Sequence, residues 1–338
     1  MIRPVPRTLL ALLLLVAGIA AFVSVNGSTP GITSAAAENP AQLQDAAPVA
    51  AAAALDVAAA APAREPVRAP APEPALRRTG TNTDGWAVYR LGAGRLPERL
   101  PVRRGFRGEI TWLQGGIERK ARIYVPTSAP ASAPLLVSLH GLGQTLRSAE
   151  AQQRWSSLAF QQRFVLVWGA GHLGSWNAGP CCGAAARRVD DMAYLDRTLQ
   201  VVSALHGVDR RRIHLAGFSN GAMLAYRYAC GRPGRIAGVL AVAGTHTAPC
   251  TPRKATAILA VNGALDPTVP LRGTRHSRTL GARLPEVGTG PRLWAKTGAG
   301  VRRVVIPRFA HGWPTRHRGG YDATGQGWRF LEQRPLPK

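Results

Sequence analysis

Acidic residues are scarce in this chain: 18 Asp and Glu stand against 43 Lys and Arg, a formal net charge of +25 over 338 residues. Lysine is scarcer still, confined to Lys120, Lys254, Lys296 and Lys338, so nearly all of the positive charge is arginine. An Arg-for-Lys skew beside abundant Ala, Gly and Pro fits a GC-rich genome, which weakens the charge as a functional signal. No nucleic-acid motif accompanies it, and nucleic acid is not an expected partner. An anionic envelope surface is the partner class that the charge alone would suit. Only four cysteines occur, and none precedes Cys181, which excludes a lipid anchor on an N-terminal Cys. Their spacing is not that of a zinc site, so no metal is expected. There is no repeat of solenoid period.

Aromatic residues are almost missing from the first 80 positions. Arg3 and Arg7 precede an apolar run from Leu9 to Val23, the pattern of a secretory signal peptide. Small residues at Ala35-Ala36-Ala37 offer a cleavage position, and an uncleaved anchor is the rival reading. Export is therefore expected, with a membrane contacted only if this segment stays attached. Residues 38–81 are Ala- and Pro-rich, too poor in core-forming side chains to offset ordering entropy, and read as a spacer. The catalytic domain is expected from residue 82 to 338, and it carries +24 of the net charge. In an exported chain four cysteines suggest disulfides, with three connectivities open. Cys230 and Cys250 flank one predicted strand and form the preferred pair, while adjacent Cys181 and Cys182 permit only a vicinal bridge.

Short apolar runs alternate with helical stretches through this domain. Residues 109–113 and 121–125 read as a hairpin around Gly115-Gly116. Further strands are expected at 135–139, 164–168, 213–218, 236–242, 257–261 and 301–306. A helix is expected over 190–205, with Asp190 or Asp191 capping it, and another begins near Ala222. Apolar strands too short to be helices, separated by helices, predict an α/β class with a mostly parallel sheet covered on both faces.

Gly217-Phe218-Ser219-Asn220-Gly221 is a G-x-S-x-G sequence between a predicted strand and a predicted helix. That context makes Ser219 a candidate nucleophile at the sharp turn of an α/β-hydrolase fold. The scarcity of acid now becomes useful. This fold places its acid and then its histidine after the serine, and between Ser219 and residue 310 the only acids are Asp266 and Glu286. Asp266 follows a predicted strand, whereas Glu286 lies in a polar stretch without one. Of the three later histidines, His276 and His317 sit among arginines, while His311 follows the predicted strand 301–306. The expected triad is Ser219, Asp266 and His311. For the oxyanion hole, the expected donors are the N–H of Asn220 and that of Leu142 in His140-Gly141-Leu142-Gly143, with Gly141 and Gly143 as alternatives.

Taken together, the sequence resembles the polyhydroxybutyrate depolymerase-like secreted esterases, a group that also includes feruloyl and acetylxylan esterases. The resemblance rests on Leu139-His140-Gly141, the run Gly174-Ser175-Trp176-Asn177-Ala178-Gly179-Pro180-Cys181-Cys182-Gly183, and Val189-Asp190-Asp191. It continues through Gly217 to Met223, Asn262 to Asp266, and His311 to Pro314. It implies a serine carboxylesterase that needs no cofactor, acting on polyhydroxyalkanoate oligomers or short-chain esters, with feruloyl or acetylxylan esters as the alternative. A catalytically idle protein that binds envelope polymer is the rival of another class. The resemblance also implies that the loop from Ser175 to Cys182 borders the substrate cleft. Trp176, Asn177 and Trp313 become candidate substrate contacts on that basis, with core packing as the competing reading of both tryptophans. Leu265 before Asp266, and Phe309-Ala310 before His311, depart from the family's usual small residues.

Overall fold

The structure is a computed structural model that describes residues 75–93, 95–100, 105–183 and 188–337. The expected signal segment (1–37) and most of the spacer lie outside the described residues. Ten of the twelve described strands form one sheet. They are β1 (Leu76–Thr81), β2 (Ala87–Leu91), β3 (Arg107–Gln114), β4 (Ile117–Tyr124), β5 (Ala133–Leu139), β6 (Val165–Gly169), β7 (Val208–Phe218), β8 (Gly238–Val242), β9 (Ala257–Gly263) and β12 (Val301–Ile306). A separate hairpin pairs β10 (Thr274–Ser277) with β11 (Ala282–Leu284). The large sheet runs β1-β2-β3-β4-β6-β5-β7-β8-β9-β12. Its six strands from β6 to β12 are mutually parallel, while β4 pairs antiparallel with both β3 and β6.

The alternation along the central strands separates two hydrophobic layers, because successive side chains leave opposite faces of a sheet. Leu135, Val137, Leu215, Val239 and Ala241 face one layer. Leu136, Ala216, Phe218, Leu240 and Val242 face the other. Helices α3 (Asp191–Leu205), α4 (Asn220–Gly231) and α5 (Thr289–Ala295) cover the first face. Helices α1 (Leu146–Gln153), α2 (Trp155–Gln162) and α6 (Ala323–Glu332) cover the second. Three of these helices start with a side-chain cap. Asp190 accepts from Ala193 N–H at 2.9 Å, Asp322 from Gly325 N–H at 3.0 Å, and Thr145 from Ser148 N–H at 3.1 Å. Each satisfies an N–H that the first turn leaves without an intrahelical partner.

One boundary needs correction. The spacer was expected to reach residue 81, yet residues 76–81 form β1 and pair with β2. This strand shows no apolar alternation, since all but its first residue are exposed; its pairing with β2, a bond from Thr79 Oγ1 to Val88 O at 3.3 Å and the packing of Leu76 hold it. The flank from β1 to β4, in which β2 and β3 pair in parallel, is tied to the second layer by a buried cation. Arg122 on β4 donates to Glu109 at 2.9 Å, to Glu150 of α1 at 2.7 Å, and to Asp84. Removing a buried partner leaves the opposing charges without compensation, which costs several kcal/mol. Arg122→Ala is therefore expected to lower unfolding stability by about 3 kcal/mol, seen as a lower urea midpoint at constant m-value.

Candidate active site

The parallel strands end on one edge, and the loops beyond β5, β7, β9 and β12 carry the residues singled out from the sequence. At the end of β7 the chain turns into α4 so tightly that Ser219 adopts φ 53° and ψ −116°. A Cβ on Gly217 would lie 2.4 Å from Ala222 N, and one on Gly221 would lie 2.5 Å from His140 O. Both flanking glycines of the motif are thus steric requirements of the turn, and the positive φ of Ser219 is backbone strain held by its surroundings.

Asp266 lies in the loop after β9, and its carboxylate is fixed from two sides. Oδ1 accepts the N–H groups of Thr268 and Val269, both at 2.8 Å, while Oδ2 lies 2.7 Å from His311 Nδ1. Because the carboxylate only accepts, Nδ1 carries the imidazole proton. Nε2 is then free to accept, and it lies 3.0 Å from Ser219 Oγ. The loops bearing Asp266 and His311 are stitched together by Leu265 N–H to Phe309 O at 3.0 Å and Ala264 N–H to Ile306 O at 2.9 Å. Glu286 is half-buried, away from His311, and paired with Arg292 at 3.0 Å. His276 and His317 are exposed.

The loop after β5 carries Leu142, one of the two expected oxyanion N–H donors. Gly141 N–H is bonded to Gln144 Oε1 at 2.8 Å, and Gly143 N–H to Gly174 O at 2.8 Å. Leu142 N–H donates to none of the described residues, and neither does that of Asn220 at the start of α4. His140 sets the loop's course. Its Nε2 accepts from Gly171 N–H at 2.9 Å, so Nδ1 must carry the proton that it donates to Gly141 O at 2.8 Å. Burial lowers the pKa of His140, which favours the neutral ring that this pair of bonds requires.

The side chain of Asn220 binds the Ser175–Cys182 loop to the turn, a role the sequence reading missed. It accepts from Trp176 N–H at 2.8 Å, donates to Trp176 O at 3.0 Å, and reaches Cys182 Sγ at 3.3 Å. Cys181 is disulfide-bonded to Cys182, and Cys230 to Cys250. The expected substrate contacts require correction. Trp176 is fully buried and donates its indole N–H to His140 O at 3.0 Å. Trp313 is buried too, donating to Thr324 Oγ1 at 3.0 Å with its ring edge-on to Trp155. Neither offers a face to a ligand. Asn177 bonds Asp191, Val189 and Arg227, so its amide organises the loop. Exposed apolar side chains at this edge are instead Leu142 (38% exposed), Leu173 (76%) and Leu265 (63%).

A strained serine at a strand-to-helix turn, a histidine and a carboxylate from later loops, and a mostly parallel sheet with helices on both faces decide the architecture. The fold is the α/β-hydrolase fold. Residues 186–284 match the phospholipase/carboxylesterase family, a stretch that includes Ser219 and Asp266. The chain is 31% identical to the putative esterase NocK of Nocardia uniformis subsp. tsuyamanensis over 203 residues, covering 57% of this chain and 58% of that protein. It is also 31% identical over 126 residues to poly(3-hydroxyalkanoate) depolymerase C of Paucimonas lemoignei, covering 36% of this chain and 30% of that one. The chain spans between 16% and 58% of the length of the curated relatives it matches. Among solved structures, that of pOPH superposes with a TM-score of 0.51 at 16% identity, covering 72% of this chain and 90% of that one. The resemblance to a polyhydroxyalkanoate depolymerase and to a feruloyl esterase thus stands in sequence over part of the chain. In this fold the two N–H groups without a partner among the described residues and the Asp266–His311–Ser219 chain share the sheet edge, an arrangement able to remove a hydroxyl proton and receive a developing oxyanion.

Proposed function

We propose that this protein is an exported serine carboxylesterase acting through an acyl-Ser219 intermediate. The observation that carries the reading is the hydrogen-bonded chain from Asp266 Oδ2 through both nitrogens of His311 to Ser219 Oγ. In this scheme Ser219 Oγ attacks the ester carbonyl carbon while His311 Nε2 takes the hydroxyl proton. The carbonyl oxygen, now an anion, is held by Leu142 and Asn220 N–H. Collapse breaks the bond to the alcohol oxygen, which leaves with the proton from His311. Water then attacks the acyl carbon by the same route, releasing the acid and restoring Ser219. Asp266 holds the His311 tautomer and stabilises the imidazolium as it forms.

The acyl side is assigned to aliphatic chains: short esters or oligomers of hydroxyalkanoates. Leu142, Leu173 and Leu265 are exposed on the loops that carry the site, and exposed apolar groups gathered at one edge favour contact with an apolar ligand. The relative that acts on a polyhydroxyalkanoate supports this reading. The burial of Trp176 and Trp313 leaves no indole face for a sugar or feruloyl ring, which disfavours cell-wall esters. Export is supported by both cysteine pairs being bonded, as an oxidising compartment allows.

The test is turnover of p-nitrophenyl butyrate, a hydroxybutyrate trimer and methyl ferulate by the purified protein and by Ser219→Ala. The aliphatic substrates should be preferred, and the variant should lose about three orders of magnitude or more in kcat. Equal turnover by the variant would remove Ser219 from the mechanism; preference for methyl ferulate would remove the aliphatic assignment.

A further inference from the structure

A large cavity among the described residues lies away from Ser219. It has a volume of about 1490 Å³ and lies at the other end of the parallel strands, where Ala131 leads into β5 and Val208 opens β7. Arg95, Arg99, Arg197, Arg210 and Arg235 line it, and Glu98 is its only acid. None of these five arginines has a carboxylate within ion-pair distance among the described residues.

Arg197 is the informative member. It projects from α3, is half-buried, and among the described residues its side chain makes one hydrogen bond, a long one of 3.4 Å to Gln200 Oε1. Arg119 and Arg122 sit deeper, and each is compensated by carboxylates. A partly desolvated guanidinium without a carboxylate is unfavourable unless an anion completes the site. Burial also lowers the pKa of Arg197, the direction expected for a cation lacking a counter-charge. A guanidinium fork matches phosphate or carboxylate oxygens in bidentate fashion, and five of them around one concavity exceed what a single such group can use.

We propose that this cavity is a second binding site, for a soluble oligoanion carrying several phosphate or carboxylate groups. Its concave form suits a short chain entering between arginines better than the plane of a membrane. Because the triad lies at the opposite ends of the strands, occupancy leaves the Ser219 site open. An enzyme bound there to an anionic polymer would keep its ester site facing outward.

Titration calorimetry of the full chain in low-salt, phosphate-free buffer tests this, with tripolyphosphate, citrate and phosphatidylglycerol vesicles as probes. Tripolyphosphate should bind saturably, and binding should weaken by about tenfold or more in Arg99→Gln/Arg197→Gln/Arg210→Gln. A control that removes the same charge elsewhere, Arg253→Gln/Arg275→Gln/Arg278→Gln, should keep its affinity within about twofold. Turnover of p-nitrophenyl butyrate, unchanged in both, shows that each variant is folded. If the cavity triple variant does not fold, the exposed single reversal Arg99→Glu should still weaken binding. Citrate bound with the same losses extends the ligand class to carboxylates. Equal weakening in the control variant, or no binding of tripolyphosphate, overturns the proposal. Binding of vesicles alone would overturn it in favour of a membrane surface.

Discussion

Replacing Asp266 by Asn is expected to lower kcat for ester hydrolysis by about four orders of magnitude with the fold intact. The amide oxygen can keep the two backbone bonds that Oδ1 receives from Thr268 and Val269. The amide nitrogen then takes the place of Oδ2, 2.7 Å from His311 Nδ1. It donates where a carboxylate accepts, so Nδ1 must lose its hydrogen and Nε2 must gain one. In that tautomer Nε2 points a hydrogen at Ser219 Oγ and cannot remove a proton from it. The loss is one of chemistry, so kcat should fall with little change in KM. The thermal midpoint should stay near that of the parent, since the carboxylate's place is filled by an isosteric group. A loss of less than about tenfold would show that Asp266 does not set the tautomer.

Unfolding stability is expected to fall as pH drops below about 6.5, well before the carboxylates titrate. Three buried histidines contribute: His140, whose pKa burial lowers, and two more. His214 on β7 and His246 are both buried, and neither ring has a hydrogen-bond partner among the described residues. Desolvation holds His214 at about 3 and His246 at about 4 in the folded protein. In the unfolded chain both return to about 6.5. Between those values the unfolded state binds the proton and the folded state does not, so acid favours unfolding. The stability is whole above pH 6.5, is lost through His246 down to about 4, and continues to fall through His214 to about 3. Each histidine contributes a slope of about 1.4 kcal/mol per pH unit inside its window. Urea unfolding at pH 7, 6, 5 and 4.5 reads this slope, and His214→Phe should reduce it by about 1.4 kcal/mol per pH unit. A midpoint that is flat from pH 7 to 4.5 would contradict the account.

The site was more legible in the sequence than the frame around it, for a physical reason. Gly217, Ser219 and Gly221 are adjacent in the chain because one tight turn demands all three, so the signal is local. Asp266 and His311 come from distant segments, but the chain contains so few acids that elimination could find the partner. The position of α3 was readable from its apolar period and its Asp190 cap. By contrast, α1 buries only Leu146, Ala149 and Gln153, too few to make a stripe, and it is held by tertiary contacts such as Arg122 to Glu150. The strand β1 exposes nearly all its side chains and left no pattern to read. The tryptophans misled because a residue type says nothing of which way it faces: the loop that carries Trp176 turns the ring inward, beneath His140. The side-chain role of Asn220 was hidden for the same reason, since its partners lie 44 residues away in sequence.

The most direct test of the central claim is covalent labelling of the full chain with a fluorophosphonate, the site being located by peptide mass spectrometry. An activated serine attacks phosphorus and displaces fluoride, whereas ordinary serines do not react at a measurable rate. The account predicts a single adduct on Ser219, abolished in Ser219→Ala and greatly slowed in His311→Ala. Labelling of a different serine, or none on a chain shown to be folded, would contradict it.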